Sequence, residues 1–160
     1  MNRVLNSRRS MILLLTLIIT VPHRSSAQPV KALVDSQNYV FQARTAQSLH
    51  GNIHQLTTDN YTLKITKEKI VSDLPFFGRA YVAPMDPGQT GFNFTSKDFE
   101  YTVTPGKKDG WIVSIKPKDF KDVQKIQITI SSAGYAGVQI ISTSRDEISF
   151  DGIVSPPGQR

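Results

Sequence analysis

Apolar and polar residues alternate with a period of two along most of the chain after residue 38, and no other feature of the sequence constrains the fold as strongly. Successive side chains of a β-strand point to opposite faces, so the alternation predicts antiparallel strands with one face in a core and one face in water. Weaker runs at residues 53–56, 69–73 and 78–82 bring the prediction to about nine or ten strands. The residues predicted to face the core are Tyr39, Phe41 and Ala43; Tyr61, Leu63 and Ile65; Phe92 and Phe94; Phe99, Tyr101 and Val103; Trp111, Val113 and Ile115; Ile126, Ile128 and Ile130; Val138 and Ile140; and Ile148 and Phe150.

Turn-forming residues separate these strands at short intervals. Residues 104–110 contain a proline, two glycines and an Asp-Gly pair, which fix φ or tolerate positive φ in a hairpin. Further reversals are predicted at residues 134–137 and 144–146, and a longer loop at residues 83–91. Evenly spaced short strands of this kind predict an all-β fold, a single antiparallel sandwich or barrel, and the spacing does not distinguish the two.

A short helix is predicted before the first strand, over residues 29–36. Pro29 suits the first position of a helix, and Val30, Leu33 and Val34 fall on one side of it.

The first 27 residues have the three-part order of a secretory signal peptide. They begin with a basic segment, continue with an apolar run at residues 11–21, and end in small residues before a predicted cleavage between Ala27 and Gln28. Eleven residues of helix reach about 17 Å, well short of the roughly 30 Å of a bilayer core. We therefore predict a cleaved signal (1–27), one β domain (28–154) and a flexible tail (155–160), and no stable membrane anchor in the mature protein.

The charge and cysteine counts exclude several classes of function. The chain has 19 Lys and Arg against 13 Asp and Glu, a net charge of +6, but four of the arginines lie in the predicted signal. The mature chain keeps 15 basic against 13 acidic residues, a net charge of +2, which is no basis for nucleic-acid binding. Because there is no cysteine, disulfides, thiolate zinc sites, cysteine nucleophiles and lipid-modified cysteine anchors are all excluded. We expect the mature protein to be a monomer that is either periplasmic or secreted.

Two groups of residues are candidates for metal binding or catalysis. His50 and His54 are four residues apart with Gly51 and Asn52 between them, and on a strand that spacing is some 13 Å, too far for one ion. No metal or cofactor is therefore expected. Hydrolysis of a glycan needs two carboxylates that converge in a cleft, and sequence alone does not show which carboxylates meet. The candidates for such a pair are Asp98, Glu100, Asp146 and Asp151.

The strongest candidate for binding is the stretch at residues 74–81. Phe77, Arg79 and Tyr81 have the same parity, so on a strand they share one face and form an aromatic rim for a ligand. The competing interpretation is that Phe77 and Tyr81 belong to the core and that Arg79 covers an aromatic ring.

Six blocks spread over the mature chain resemble the DUF4251 family, exported proteins found mainly in Bacteroidetes. Many relatives carry a lipoprotein cysteine that this sequence lacks. The resemblance implies an exported protein of a Gram-negative host and offers no catalytic residues. The blocks are residues 32–41, 74–81, 94–99, 110–119, 131–136 and 148–152.

These observations favour a non-catalytic binding or interaction module of the cell envelope. Its ligand would be a small apolar molecule, a glycan or another envelope protein. Two alternatives stay open: a glycan hydrolase that uses a carboxylate pair, and a structural or partner subunit with an edge strand available for pairing.

Overall fold

The computed structural model describes residues 30–82 and 91–158. The predicted signal peptide, with its cleavage between Ala27 and Gln28, and residues 83–90 of the loop predicted at 83–91 lie outside the described residues. The elements are α1 (Val30–Ser36), β1 (Tyr39–Ser48), β2 (Ile53–Gln55), β3 (Thr62–Ile65), β4 (Ile70–Pro75), β5 (Gly91–Ser96), β6 (Phe99–Pro105), β7 (Trp111–Pro117), β8 (Val123–Ile130), β9 (Tyr135–Ser142) and β10 (Ile148–Ser155).

All ten strands belong to one antiparallel sheet. Nine of them follow the order β5-β4-β3-β1-β10-β9-β8-β7-β6, and β2 pairs with the second half of β1. The two end strands, β5 and β6, are consecutive in the chain and joined by Lys97 and Asp98 alone, so the sheet curls into a nearly closed barrel-like shape. The prediction of an all-β fold with about nine or ten strands after a short helix is confirmed.

The alternation correctly identifies most of the core. The inward faces of β1, β3, β5, β8, β9 and β10 are buried, and α1 adds Leu33 and Val34. The prediction is wrong for Val103, which is 40% exposed. Since β6 is an end strand that pairs with β7 alone, the last residues of its inward face have no second neighbouring strand to cover them.

The two end strands are held together beside their shared turn. The Asp119 carboxylate, in the segment between β7 and β8, accepts hydrogen bonds from the Ser96 hydroxyl at 2.5 Å and from the backbone N–H of Lys97 at 2.7 Å. The ring of Phe120 stacks on that of Phe94 with centroids 4.4 Å apart. Together these contacts fasten β5 and the β5–β6 turn to the β7–β8 connection.

Several predicted turns and bounds are shifted in the structure. The hairpin between β6 and β7 has positive φ at Lys108 and Asp109 instead of at its glycines. The predicted reversal at 134–137 is a turn that ends at Gly134, with φ of 86°, and residues 135–137 already belong to β9. The last strand includes Ser155, one residue beyond the predicted end of the β domain.

The predicted strand at residues 78–82 is wrong. That segment contains an isolated bridge between Ala80 and Arg145, and its backbone bonds to the turn between β9 and β10 instead of to a neighbouring strand. Within the described ranges, no helix has the length and apolar character needed to cross a membrane.

Candidate binding groove

An open groove of about 670 Å³ lies over β7, β8, β9 and β10, at the end of these strands near the β6–β7 hairpin. Its floor includes Ile112, Thr129, Gly137 and Asp151, and its walls include Tyr135. We refer to this feature as the groove.

The register of the sheet places the floor residues in one row. Ile112 is opposite Thr129, Thr129 is opposite Gly137, and Gly137 is opposite Asp151. Their chain neighbours on these strands, such as Val113, are buried, so the row faces outward. Three strand spacings give the row a length of about 14 Å.

Gly137 is a point in the row where side-chain volume is missing. A Cβ at this position would meet the Asp151 Oδ1 atom at 3.5 Å and the Phe150 carbonyl oxygen at 3.9 Å, which are ordinary contacts. Its φ is not positive, so neither backbone conformation nor crowding requires glycine here. Gly152 differs, since a Cβ there would lie 1.9 Å from the Gln42 carbonyl oxygen. The sheet needs glycine at 152 and leaves an opening at 137.

Tyr135 is an exposed aromatic wall beside this opening. It starts β9, precedes Gly137 by two residues on the same face, and is 67% exposed. The Ser131 hydroxyl donates to the Tyr135 carbonyl oxygen and accepts from its N–H, both at 3.1 Å. These bonds fix the backbone from which the ring projects. Trp111 also borders the groove, but it is half-buried and packs against the core.

Charged groups of both signs border the groove. Lys107 contributes an ammonium from the β6–β7 hairpin and Asp151 a carboxylate from β10. The Thr45 hydroxyl donates a long hydrogen bond of 3.5 Å to Asp151 Oδ2. Among the described residues that line the groove, Asp151 is the single carboxylate. The lining therefore offers polar contacts to a ligand but no pair of carboxylates.

The three predicted binding residues lie elsewhere, and the structure divides them. The Tyr81 hydroxyl and the Arg79 backbone N–H both donate to the Asp146 carboxylate, the latter at 3.2 Å. The Phe77 ring stacks on the ring of His54, with centroids 4.2 Å apart and planes at 13°. Arg79 and Tyr81 thus meet at Asp146, whereas Phe77 is engaged by β2.

Asp146 anchors the segment that contains Arg79 and Tyr81. Its side chain is buried, and the hydrogen bond from Tyr81 is the main reason that the pKa of Asp146 is lowered despite that burial. The same bond raises the pKa of Tyr81. The carboxylate therefore stays ionised and uses both oxygens to hold the loop against the β9–β10 turn. The Tyr81 ring and the Arg79 side chain are exposed.

Comparison with known proteins identifies the family. The family model described as "Domain of unknown function (DUF4251)" matches residues 23–154. The chain belongs to the DUF4251 family. A crystal structure of a DUF4251 family protein from Bacteroides eggerthii DSM 20697 aligns with a TM-score of 0.57 and 13% identity, over 80% of this chain and 85% of that chain. This likeness concerns the fold. No curated protein matches the sequence.

The four candidate carboxylates of this DUF4251 chain have different surroundings in the fold. Glu100 pairs with Lys118 at 3.2 Å, Asp98 lies in the β5–β6 turn, Asp146 holds Tyr81, and Asp151 lines the groove. Within residues 30–82 and 91–158, no three His, Asp or Glu side chains form a group that could hold a metal ion.

Sequence reasoning missed the groove of the DUF4251 chain because it assigned Tyr135 and Gly137 to a turn. A usable signal was present: Val138 and Ile140 face inward, so Gly137 and Tyr135 had to face outward on the same strand. A glycine inside a strand often marks a position where a ligand or another backbone comes close.

Proposed function

We propose that this DUF4251 chain is a non-catalytic, exported binding protein of the bacterial cell envelope and that the groove holds its ligand. The observation that carries the proposal is the groove itself. Its volume of about 670 Å³ lies within the range of roughly 300–1,000 Å³ that ligand sites occupy. Apolar surface with a few polar groups at its border is the usual composition of such sites.

The lining favours binding over hydrolysis of a glycan. Both glycosidase mechanisms use two carboxyl groups, about 5–10 Å apart. Asp151 is the sole carboxylate among the described lining residues. Asp146 accepts hydrogen bonds from the Tyr81 hydroxyl and the Arg79 N–H.

Export is supported by the order of residues 1–27 and by a solved family member from Bacteroides. The proposal includes cleavage after Ala27 and a mature β domain from Gln28. Mass spectrometry of the protein recovered from the periplasm or medium of a Gram-negative host tests it. An amino terminus at Gln28 supports export, and a full-length chain retained in the cytoplasm contradicts it.

The binding function is tested by thermal shift against three ligand classes: oligosaccharides, fatty acids and short peptides. A ligand at 100 times its Kd stabilises a protein by about 2.7 kcal/mol. We expect one class to raise the melting temperature of the wild type and not that of Gly137→Val, in which the opening is filled. Ser114→Val is the control, because it also introduces a valine on the outer face of the sheet, on β7 and outside the groove. If no class acts through the groove, the proposal is wrong.

A second region proposed to contact a ligand consists of Phe77, Arg79 and Tyr81. The exposed ring of Tyr81 and the exposed side chain of Arg79 support it, and their attachment to Asp146 supports the competing structural role.

A further inference from the structure

We infer that the ligand of the groove is a neutral oligosaccharide that lies across Gly137 with one sugar face against Tyr135. This inference rests on the proposed binding function and adds the chemical class of the ligand.

Gly137 provides the first argument. A glycine in a central strand loses side-chain packing and costs roughly 0.5–1 kcal/mol relative to alanine. The sheet gains nothing from it here, because a Cβ would meet only ordinary contacts. The missing side chain opens the floor between Thr129 and Asp151, which matches close approach of a ligand to the backbone.

The shape of the groove and its charges provide the second argument. The groove is open to solvent, so an alkyl chain laid in it would keep part of its apolar surface in water. A sugar ring needs only one apolar face covered, since its edges carry hydroxyls that stay hydrated. Lys107 and Asp151 contribute opposite charges, so the groove has no net charge from these two groups to select an anion or a cation.

The chemical groups of the row provide the third argument. The face of an aromatic ring is negative and attracts the C–H groups on a sugar face, and the Tyr135 ring is 67% exposed. The Asp151 carboxylate accepts hydrogen bonds, and the Thr129 hydroxyl both donates and accepts, as pairs of sugar hydroxyls require. A row about 14 Å long is longer than one ring, which favours an oligosaccharide.

The test is a titration of the nitrogen-15-labelled mature protein, from Gln28, followed by amide chemical shifts. The probes are cellohexaose, maltohexaose, mannohexaose and chitohexaose, with sodium palmitate and hexaalanine as the other ligand classes. We expect at least one hexasaccharide to shift the amides of Ile112, Tyr135, Gly137 and Asp151. Gly137→Val and Tyr135→Ala should each weaken that affinity by about tenfold or more, and Ser114→Val should leave it unchanged.

The outcomes separate this inference from the proposed function. If palmitate or hexaalanine shifts the groove amides and no hexasaccharide does, the groove binds a ligand and the saccharide inference is wrong. If hexasaccharide shifts appear away from the groove, or persist in a folded Gly137→Val, the inference is also wrong. If no probe shifts the groove amides, both the inference and the groove as binding site are contradicted. The amide spectrum of each variant reports whether it is folded.

Discussion

The phenolic hydroxyl of Tyr39 lies 3.3 Å from that of Tyr101, although 62 residues separate them in the chain. Tyr39 is on β1 and Tyr101 is on β6, and these strands are not neighbours in the sheet. The pair therefore joins two walls across the interior, next to α1, where the Tyr101 hydroxyl also donates to the Val34 carbonyl oxygen at 3.4 Å.

This pair predicts a loss of stability at alkaline pH. Burial is the main cause that raises the pKa of Tyr39 well above its ordinary value, and burial also raises the pKa of Tyr101. A tyrosine in the unfolded chain ionises near pH 10, so this contribution is complete below about pH 10 and is lost as the pH rises above it. Urea unfolding across that range should show a flatter decline for Tyr39→Phe than for wild type. Tyr135→Phe, at an exposed tyrosine, is the control, and an identical decline in Tyr39→Phe would contradict the prediction.

The hydrogen bonds to Asp119 predict that the protein also loses stability at acidic pH. The bond from Ser96, and then that from the Lys97 N–H, lower the pKa of Asp119. The stabilisation is present above the unfolded value of about 3.9 and is lost as the pH falls below it. Asp119→Asn should unfold at lower urea at neutral pH and lose less stability on acidification than wild type. The matched variant is Asp73→Asn, an exposed carboxylate on β4. Equal acid sensitivity of Asp119→Asn and wild type would contradict the prediction.

Truncation of the Arg145 side chain should cause a large loss of stability. This side chain is 8% exposed, donates to the Gly91 carbonyl oxygen at 2.9 Å, and lies 3.6 Å from the Asp122 carboxylate. Its guanidinium also sits over the Phe92 ring at 5.1 Å. Removal of one partner from a buried ion pair costs about 3–5 kcal/mol, and we expect Arg145→Ala to fall near the lower end. Chemical denaturation should show Arg44→Ala, at an exposed arginine of β1, within about 0.5 kcal/mol of wild type.

The two glycines of the groove region should respond in opposite ways to alanine. Gly137→Ala should stabilise the protein by about 0.4–1 kcal/mol, because its conformation and space accept a Cβ. Gly152→Ala should destabilise it by at least 1–3 kcal/mol, since the new Cβ would clash with the Gln42 carbonyl oxygen. Thermal unfolding of the pair is a direct check. A destabilised Gly137→Ala would mean that the sheet itself requires the glycine.

Arg79 and Tyr81 can be tested separately for binding and for stability. Tyr81→Phe removes the main cause of the lowered Asp146 pKa, so it should raise that pKa and reduce stability at neutral pH. Arg79→Ala keeps the backbone bond to Asp146 and should change stability by no more than about 0.5 kcal/mol. If a ligand identified by the thermal-shift screen binds Arg79→Ala as well as wild type, the proposed contact region at Phe77, Arg79 and Tyr81 is not its site.

The features of the fold that can be predicted from the sequence are those that depend on residues close together in the chain. Ile126, Ile128 and Ile130 are all buried, because alternation along a strand is a local property. Val103 follows the same alternation yet is exposed, since its burial depends on whether a second strand lies beside β6. The sequence does not show that order of strands.

The sites depend on contacts between distant segments, and for that reason they were harder to predict. Tyr81 and Asp146 are 65 residues apart, so no spacing rule indicates their bond. The groove requires the register of four strands to bring Ile112, Thr129, Gly137 and Asp151 into one row. The family resemblance depends on local blocks of sequence, and the match of the family model confirms it.

The pairing of the first strand with the last has a consequence for how the chain folds. Val40 is opposite Ser155, so β1 can complete its ladder only after β10 is available, and the barrel-like sheet cannot close before then. Closing a loop of more than a hundred residues has a high entropy cost, and folds dominated by such distant pairings form slowly. The full ladder of β1 therefore cannot form until residues 148–155 have been synthesised.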